Sequence, residues 1–519
     1  MKKVQLSLLF FSILYYSLNI KLNAQIVSPD ISFGTGGYSE PLTTGAISMG
    51  FTDNIILADG YITIRYRNYS VGINKTKLDG FIDSTYGTHS LEIGTGNSTY
   101  AKSAKLSGNK ILVIGRINAN PTYSAYNIFI MRINLDGTYD TSFGTNGYQI
   151  IDIGTNDDVR DFVVDNAGNS YIYAINNSNK YLLKINNSGV LDTSFGTFGK
   201  ILLDNNYSTS NMVMQNDQKI LAAGWKINPT TNIYESYYER RLLNGSLDPT
   251  FGIGGTVTIP YSGTNSWTSA FKINYFDNTI LSVHKADPGY GYGSRKIFLS
   301  KLNLSDGSPV TSFANNGIAL AYSYTDTMDV NPAHIATLSD GKIIVAGAAS
   351  TIQNSVLNKI FIARFTSNGN SDGYQMFNTT PPGASLAIEH IPQLFNVNDN
   401  SFILTYDGYS VTHFGKSFLF KFNVQTSNMG ASDIEVKKIN KEIFVYPNPV
   451  KTYFSVYNKS GGTKKYFHYI LSDLSGKHIK TGEAYYDEKI FVENLSRGNY
   501  ILNVSSETGE KNSFKLLKE

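Results

Sequence analysis

The side chains in this chain whose type and spacing suggest chemistry are carboxylates held in turns. Asp140, Asp192 and Asp248 each stand three residues ahead of a phenylalanine in an Asp-x-(Ser/Thr)-Phe-Gly segment. Calcium requires about six to eight oxygens converging on one point. Each of these aspartates is alone in its turn, beside Thr or Pro, and capping of the local backbone accounts for it. The denser run Asn-Asp-Asp-Val-Arg-Asp at 156–161 is a better cation candidate, but it lacks the spacing of a calcium loop. The 7 histidines are scattered without a His-Glu-x-x-His pair, there is no Gly-x-Ser-x-Gly elbow, and the absence of cysteine removes thiolate chemistry and Cys-ligated zinc together. The run GYGYG at 289–293 has neither a following helix nor the Lys-Ser/Thr of a phosphate loop. It reads as a loop offering Tyr290 and Tyr292 to a ligand. A glycosidase would need two carboxylates about 5–10 Å apart, a convergence that one sequence does not reveal. No catalytic residue, cofactor site or metal site is therefore assigned.

The elements that would position such loops are repeats. The segment LDGTYDTSFGTNG at 135–147 recurs as VLDTSFGTFG at 190–199 and GSLDPTFGIGG at 245–255, with weaker copies at 29–37, 78–87 and 309–317. The aromatic of each copy falls at Phe33, Tyr86, Phe143, Phe195, Phe251 and Phe313, a period of about 56 residues, and a degenerate copy at 367–372 lacks the Phe-Gly pair. A second element, DGKIIVAG at 340–347, recurs as DQKILAAG at 217–224 and GNKILVIG at 108–115, with looser forms between. A third follows it, an alternating strand ending near a basic residue, as in IFIMRI at 128–133 and IFIARF at 360–365. Each unit reads as strand, Asp-Gly or Gly-Asn turn, strand, loop, strand, Asn-Gly-type turn and a short last strand. Four antiparallel strands in about 56 residues is one propeller blade in size and order. The aromatics are expected to pack between blades.

The first copy has no strand before it, and the last unit has no Phe-Gly copy after it. The N-terminal segment is therefore expected to complete the last blade and close the ring, which removes exposed sheet edges. The fold expected is all-β: a seven-bladed β-propeller over residues 25–425, a linker at 426–442, and a small immunoglobulin-like β-sandwich at 443–519. Composition agrees, with 41% hydrophobic but only 16% charged residues and 46 glycines, a mixture of strand and turn formers. The net charge of +3 and the lack of a basic stripe argue against a nucleic-acid partner. Residues 1–24 read as a signal peptide: Lys2 and Lys3 precede an apolar run that Lys21 closes, and a cut is expected after Ala24.

The order D-G-K-I-x-V-A-G, A-R-F, L-D-x-S-F-G-x-x-G resembles the delta-60 repeat family of bacterial exported proteins over roughly 400 residues. The resemblance implies a β-propeller-like fold and says little about chemistry. The tail carries FVYPNPV at 444–450, YILSDLSGKHI at 469–479 and LSRGNYILNV at 495–504. These three motifs, in this order at the end of the chain, closely resemble the type A C-terminal sorting domain of the type IX secretion system of Bacteroidetes. The resemblance implies recognition of the tail by the outer-membrane translocon, through Tyr446, Pro447, Asn448, Pro449, Asp473, Gly476, Leu495, Gly498 and Tyr500, and often removal of the domain. The expected destination is the medium or the outer-membrane surface.

For the body, recognition is the leading expectation. The 36 tyrosines offer flat amphipathic surface, and the non-repetitive insertions at 118–126, 228–238 and 287–294 are where a ligand is expected. The chain reads as a monomeric binding or adhesion protein for a surface polysaccharide or protein. The alternatives are a secreted polysaccharide hydrolase or lyase and a structural surface component.

Overall fold

The computed structural model describes residues 26–40, 49–67, 69–94, 98–118, 125–261, 263–287, 296–323, 328–351, 359–378, 387–398, 401–410, 413–424, 443–458, 466–473, 477–506 and 511–519. The expected signal peptide, the linker, Tyr290, Tyr292 and Gly476 lie outside them. Every element among the described residues is a β-strand.

Six four-stranded antiparallel sheets, each made of four consecutive strands, follow one another as sheets 1 to 6 over residues 49–92, 99–151, 157–202, 207–259, 265–323 and 328–378. Sheet 2 shows the plan: Thr99–Ser107, Lys110–Asn118, Tyr126–Asn134 and Tyr148–Ile151. A two-residue turn joins its first pair, with Ser107 opposite Lys110. Its second strand has both faces covered. Ile111 and Val113 enter the apolar cluster shared with sheet 1, and Leu112 and Ile114 enter the one shared with sheet 3. This explains why the second repeat element is a nearly continuous apolar run. Each further sheet shares a cluster with its successor in the same way.

The seventh sheet is built from both ends of the repeat region. Ala387–Asn398, Ser401–Ser410 and His413–Val424 pair in order, and the last of them also pairs with Val27–Pro29 and Tyr38–Ser39. Gln375 stands where the other copies carry the aromatic, and its Oε1 accepts hydrogen bonds from the backbone N–H of Ile26 (2.8 Å) and Val27 (2.7 Å). The seventh sheet also meets the first, where Phe33, Phe395, Ile403 and Leu419 pack on Tyr61.

The repeat motif fastens one sheet to the next. In the third strand of sheet 4, Arg240 donates through Nε to Asp248 (2.8 Å) and through Nη2 to Thr250 (2.9 Å). The same guanidinium reaches the carbonyls of Leu304 (2.6 Å) and Ser305 (2.8 Å) in sheet 5 and lies 4.6 Å over Phe251. Arg132 with Asp140 (2.8 Å) and Arg364 with Asp372 (2.7 Å) repeat the pair, and Lys184 with Asp192 (2.9 Å) and Lys421 with Asp30 (2.8 Å) use an ammonium instead. The motif aspartate thus caps its turn with one oxygen and takes a cation with the other, a partner that turn chemistry alone did not predict. Sheet 5 departs from the pattern: Val310 replaces the aspartate, and Lys301 pairs with Asp277 at 2.8 Å.

The motif aromatic bears on the turn glycine of the following sheet. A Cβ at Gly189, whose φ is +86°, would stand 2.9 Å from the Phe143 ring, and Gly80, Gly245, Gly307 and Gly369 meet Phe33, Phe195, Phe251 and Phe313 alike. Phe33, Phe143, Phe195, Phe251 and Phe313 are all buried, and Tyr86 is partly so. At Tyr86 it is the neighbouring His89 ring that occupies the space beside the next glycine, Gly137.

One turn position goes against local backbone preference. Phe198 has φ +53° and is 79% exposed, while Asn146, Gly254 and Asn316 occupy the matching place in other copies. A bulky side chain in the left-handed region is strained and gains nothing here from burial. Replacing Phe198 with Asn is expected to stabilise the protein by about 0.5–1 kcal/mol, read as a higher Tm; a lower Tm would mean that the phenyl makes a contact this geometry does not show.

Residues 443–519 form a separate unit. A sheet of Ile443–Tyr446, Tyr453–Asn458 and Ile490–Phe491 and a sheet of Tyr466–Asp473, His478–Tyr485, Gly498–Ser506 and Lys511–Lys518 share one apolar core.

Candidate functional site

Strand order separates two ends of the repeat assembly. The tight first-to-second turns and the motif segments lie at one end of every sheet. The second-to-third and fourth-to-first connections lie at the other. All three insertions singled out in the sequence interrupt second-to-third connections, so the described strands that flank them end on one face. Residues 119–124 and 288–295 of these lie outside the described residues. The third, at 228–233, is a compact turn in which Asn228 caps the backbone N–H of Thr230 (3.0 Å) and holds Glu235 (3.0 Å).

Aromatic rings converge on this face. Trp225 lies near the end of the second strand of sheet 4, Tyr234 begins its third, and Trp267 lies near the start of sheet 5. The Trp225 and Tyr234 rings meet edge-on at 4.8 Å, and Tyr234 stacks with Trp267 at 5.9 Å. All three are partly exposed, and the chain contains only 2 tryptophans. Lys180 of sheet 3 lies 5.4 Å from the Trp225 ring. A second group sits two sheets away, where Arg116 lies between Tyr126 (4.5 Å) and Tyr100 (5.1 Å), with Tyr66 5.6 Å beyond Tyr100. Tyr126 and Tyr234 fall inside the insertions marked in the sequence. Trp225 and Trp267 do not, and the rarity of tryptophan was the signal available for them.

The carboxylates of 156–161 do not converge. Asp157 is buried, accepting from the Ile153 N–H (2.9 Å) and the Asn176 amide (2.6 Å). Asp158 turns toward Lys102 (3.9 Å) and Arg116 (3.8 Å). Asp161 accepts from the Met212 N–H (2.8 Å) and the Ser103 hydroxyl (2.8 Å) and pairs with Lys105 (3.2 Å). Three carboxylates with three destinations make no cation site.

A Ser–His pair exists but is sealed. His284 Nε2 is 2.7 Å from Ser300 Oγ and its Nδ1 is 3.0 Å from Ser236 Oγ, yet His284 and Ser300 are both 0% exposed and the ring stacks on Phe298 at 4.3 Å. No substrate reaches it. Burial pushes the His284 imidazole down to about 3, from 6.5. A folded-state value below the unfolded one gives stability that is complete above about pH 6.5 and is lost as pH falls toward about 3, at up to about 1.4 kcal/mol per pH unit. Melts at pH 7 and pH 5 should show this loss, and His284→Gln should flatten the dependence; a slope unchanged in the variant would assign the acid sensitivity elsewhere.

In the C-terminal unit the sorting motif clasps the terminal strand. The Asn448 side chain donates to the Lys515 carbonyl (2.5 Å) and accepts from the Leu517 N–H (2.8 Å), and Val450 N–H donates to the Leu517 carbonyl (2.7 Å). Tyr500 donates its hydroxyl to the Ser496 carbonyl (2.8 Å), Asp473 Oδ1 accepts from the Lys477 N–H (3.0 Å), and Leu495 packs against the core. Tyr446, between its Phe-Val and Pro-Asn-Pro neighbours, is 63% exposed.

The class these features define is an all-β propeller-type repeat protein that ends in an export domain. Residues 444–519 match the family described as Secretion system C-terminal sorting domain. Residues 109–143 and 338–372 match the family Domain of unknown function (DUF5122) beta-propeller, each match running from a first-to-second-strand turn to the motif segment. The tail thus marks the chain for export through the type IX secretion system to the cell surface or the medium. No curated protein matches the chain. Among solved structures it is similar to polysaccharide lyase Uly1, with 10% identity, 78% of this chain and 98% of that chain covered, and a TM-score of 0.43. It is also similar to YCF48 bound to D1 peptide, at 10% identity, 76% and 98% coverage and 0.38. An endo-arabinase from Bacteroides thetaiotaomicron gives 12% identity, 51% and 94% coverage and 0.32. Likenesses this distant carry nothing about activity.

Proposed function

We propose that the mature chain, beginning at residue 25, is an exported binding or adhesion module. Its seven sheets are the blades of a closed seven-bladed propeller that recognises a glycan on the insertion-bearing face. The linker at 426–442 and an immunoglobulin-like sorting domain at 443–519 deliver it. The observation that carries this reading is the cluster of Trp225, Tyr234 and Trp267. Flat, partly exposed rings flanked by polar groups suit the apolar faces and hydroxyl edges of sugars, and partly exposed tryptophan is a costly residue to leave without a partner. The sealed Ser–His pair and the dispersed carboxylates favour binding over hydrolysis.

Because both tryptophans belong to the cluster, intrinsic fluorescence reports on it directly. Titrating the mature protein with a panel of soluble polysaccharides should shift the emission for at least one, and Trp225→Ala should weaken that glycan about tenfold or more. Polymer shortened during the titration would show catalysis and displace the binding reading. Absence of any shift or retention across the panel would remove glycan recognition altogether.

A further inference from the structure

The aromatic rings on the insertion-bearing face are joined by cations that exceed the anions beside them. Lys102 and Arg116 both turn to Asp158, at 3.9 and 3.8 Å, too far for either to be well hydrogen-bonded. Asp158 Oδ1 already accepts from the Val159 N–H at 2.9 Å. Arg116 Nε is buried and has no hydrogen-bond partner among the described residues, and the guanidinium lies between two tyrosines. Arg160, next along the first strand of sheet 3, is exposed. It acts electrostatically on Lys102 and on Lys180, where Asp204 opposes it. Burial holds the Lys102 ammonium below its ordinary value; Asp158 pulls it up, and Arg116 and Arg160 push it further down. Two cations share one carboxylate, and a third acts on the first of them.

A surplus of this kind is unfavourable in the free protein and is relieved by an anion. An arginine set between two rings, 30% exposed and 3.8 Å from its nearest carboxylate, can turn its guanidinium to a planar oxyanion. We infer that the glycan bound on this face is anionic: a sugar acid or sulfated sugar sits on Arg116, Lys102 and Arg160, while neighbouring residues of the same polymer stack on Trp225, Tyr234 and Trp267. The inference rests on the glycan-binding reading and specifies its ligand. Carboxylate and sulfate share the chemistry that Arg116 recognises.

The test titrates the full mature protein with three polymers by tryptophan fluorescence: a polyuronate, a sulfated galactan and a neutral glucan. At least one anionic polymer should bind at least tenfold tighter than the neutral one, and raising salt from 50 to 500 mM should weaken it severalfold. Which anionic arm responds distinguishes carboxylate from sulfate. Arg160→Gln, a substitution at an exposed position, should lower anionic binding about tenfold with no change in Tm; Arg116→Gln should do so more strongly. Equal or tighter binding of the neutral glucan, insensitive to salt and to Arg160→Gln, would overturn the anionic assignment and leave the glycan reading standing. No response to any polymer would overturn both.

Discussion

A chain ending at residue 442 is expected to be retained in the periplasm, while the full chain reaches the cell surface or the medium. The physical basis is that the two units have separate interiors. Among the described residues, the apolar cluster of the C-terminal unit runs from Ile443 to Leu516 and includes none of the repeat region, and the repeat clusters include none of the C-terminal unit; the two meet at the surface, where the Tyr275 and His478 rings lie 5.0 Å apart. Removing 443–519 therefore takes away a route and leaves the repeat core intact. Lost export would reflect a lost address and not a misfolded cargo. Fractionation with immunoblotting reads the outcome, and the melting transition of the retained protein serves as the folding control. Full-rate export of the truncated, folded chain would refute the role of the tail. The reciprocal fusion should export an unrelated periplasmic protein. Asn448 offers a finer probe, because its side chain alone makes two bonds to the terminal strand.

How far the sequence reveals this molecule depends on whether a feature is local. The strands, their turns and the repeat period are set by alternation and by glycines that must adopt positive φ, all within a few residues, and they are plain in the text of the chain. The Asp-x-(Ser/Thr)-Phe-Gly segment is legible as a turn for the same reason. Its second role is not, because Arg240 reaches Leu304 and Ser305 across some 60 residues of sequence. Gln375 looks like a decayed aromatic position until the N-terminal strand is seen to need an acceptor there. The binding face is the least legible part. Tyr100, Arg116, Tyr126, Arg160, Lys180, Trp225, Tyr234 and Trp267 come from four different sheets, and no window of sequence contains more than two or three of them. Repetition decides where a residue sits in its blade, and only the packing of blade on blade decides which residues meet. Tyr290 and Tyr292, marked in the sequence as a ligand loop, lie outside the described residues.

The clamp between sheets supplies the largest stability prediction: Arg240→Ala should destabilise the protein by about 2–3 kcal/mol. Arg240 is 2% exposed and Asp248 3%, so truncation leaves the buried carboxylate with Lys219 alone, at 3.3 Å, and takes the guanidinium donors from the Leu304 and Ser305 carbonyls. The Phe251 ring loses the guanidinium above it as well. In the intact protein burial works to raise the Asp248 carboxyl, but the Thr250 hydroxyl and N–H, the Arg240 charge and the Lys219 ammonium outweigh it and bring the value to about 2, from 3.8. With the folded value depressed, this stabilisation is complete above about pH 4 and is lost as pH falls through about 2. In Arg240→Ala the carboxyl should titrate at a higher pH, moving the acid limb of stability upward. Arg240→Lys should cost less, because Lys184 fills the same place opposite Asp192 in sheet 3, but it keeps only a point charge and loses the fork that reaches sheet 5. Urea unfolding of the three proteins at pH 7 and pH 4 measures both effects. A loss below about 1 kcal/mol for Arg240→Ala would mean that the pair behaves as an exposed surface bridge, and that the apolar clusters alone hold sheet 4 to sheet 5.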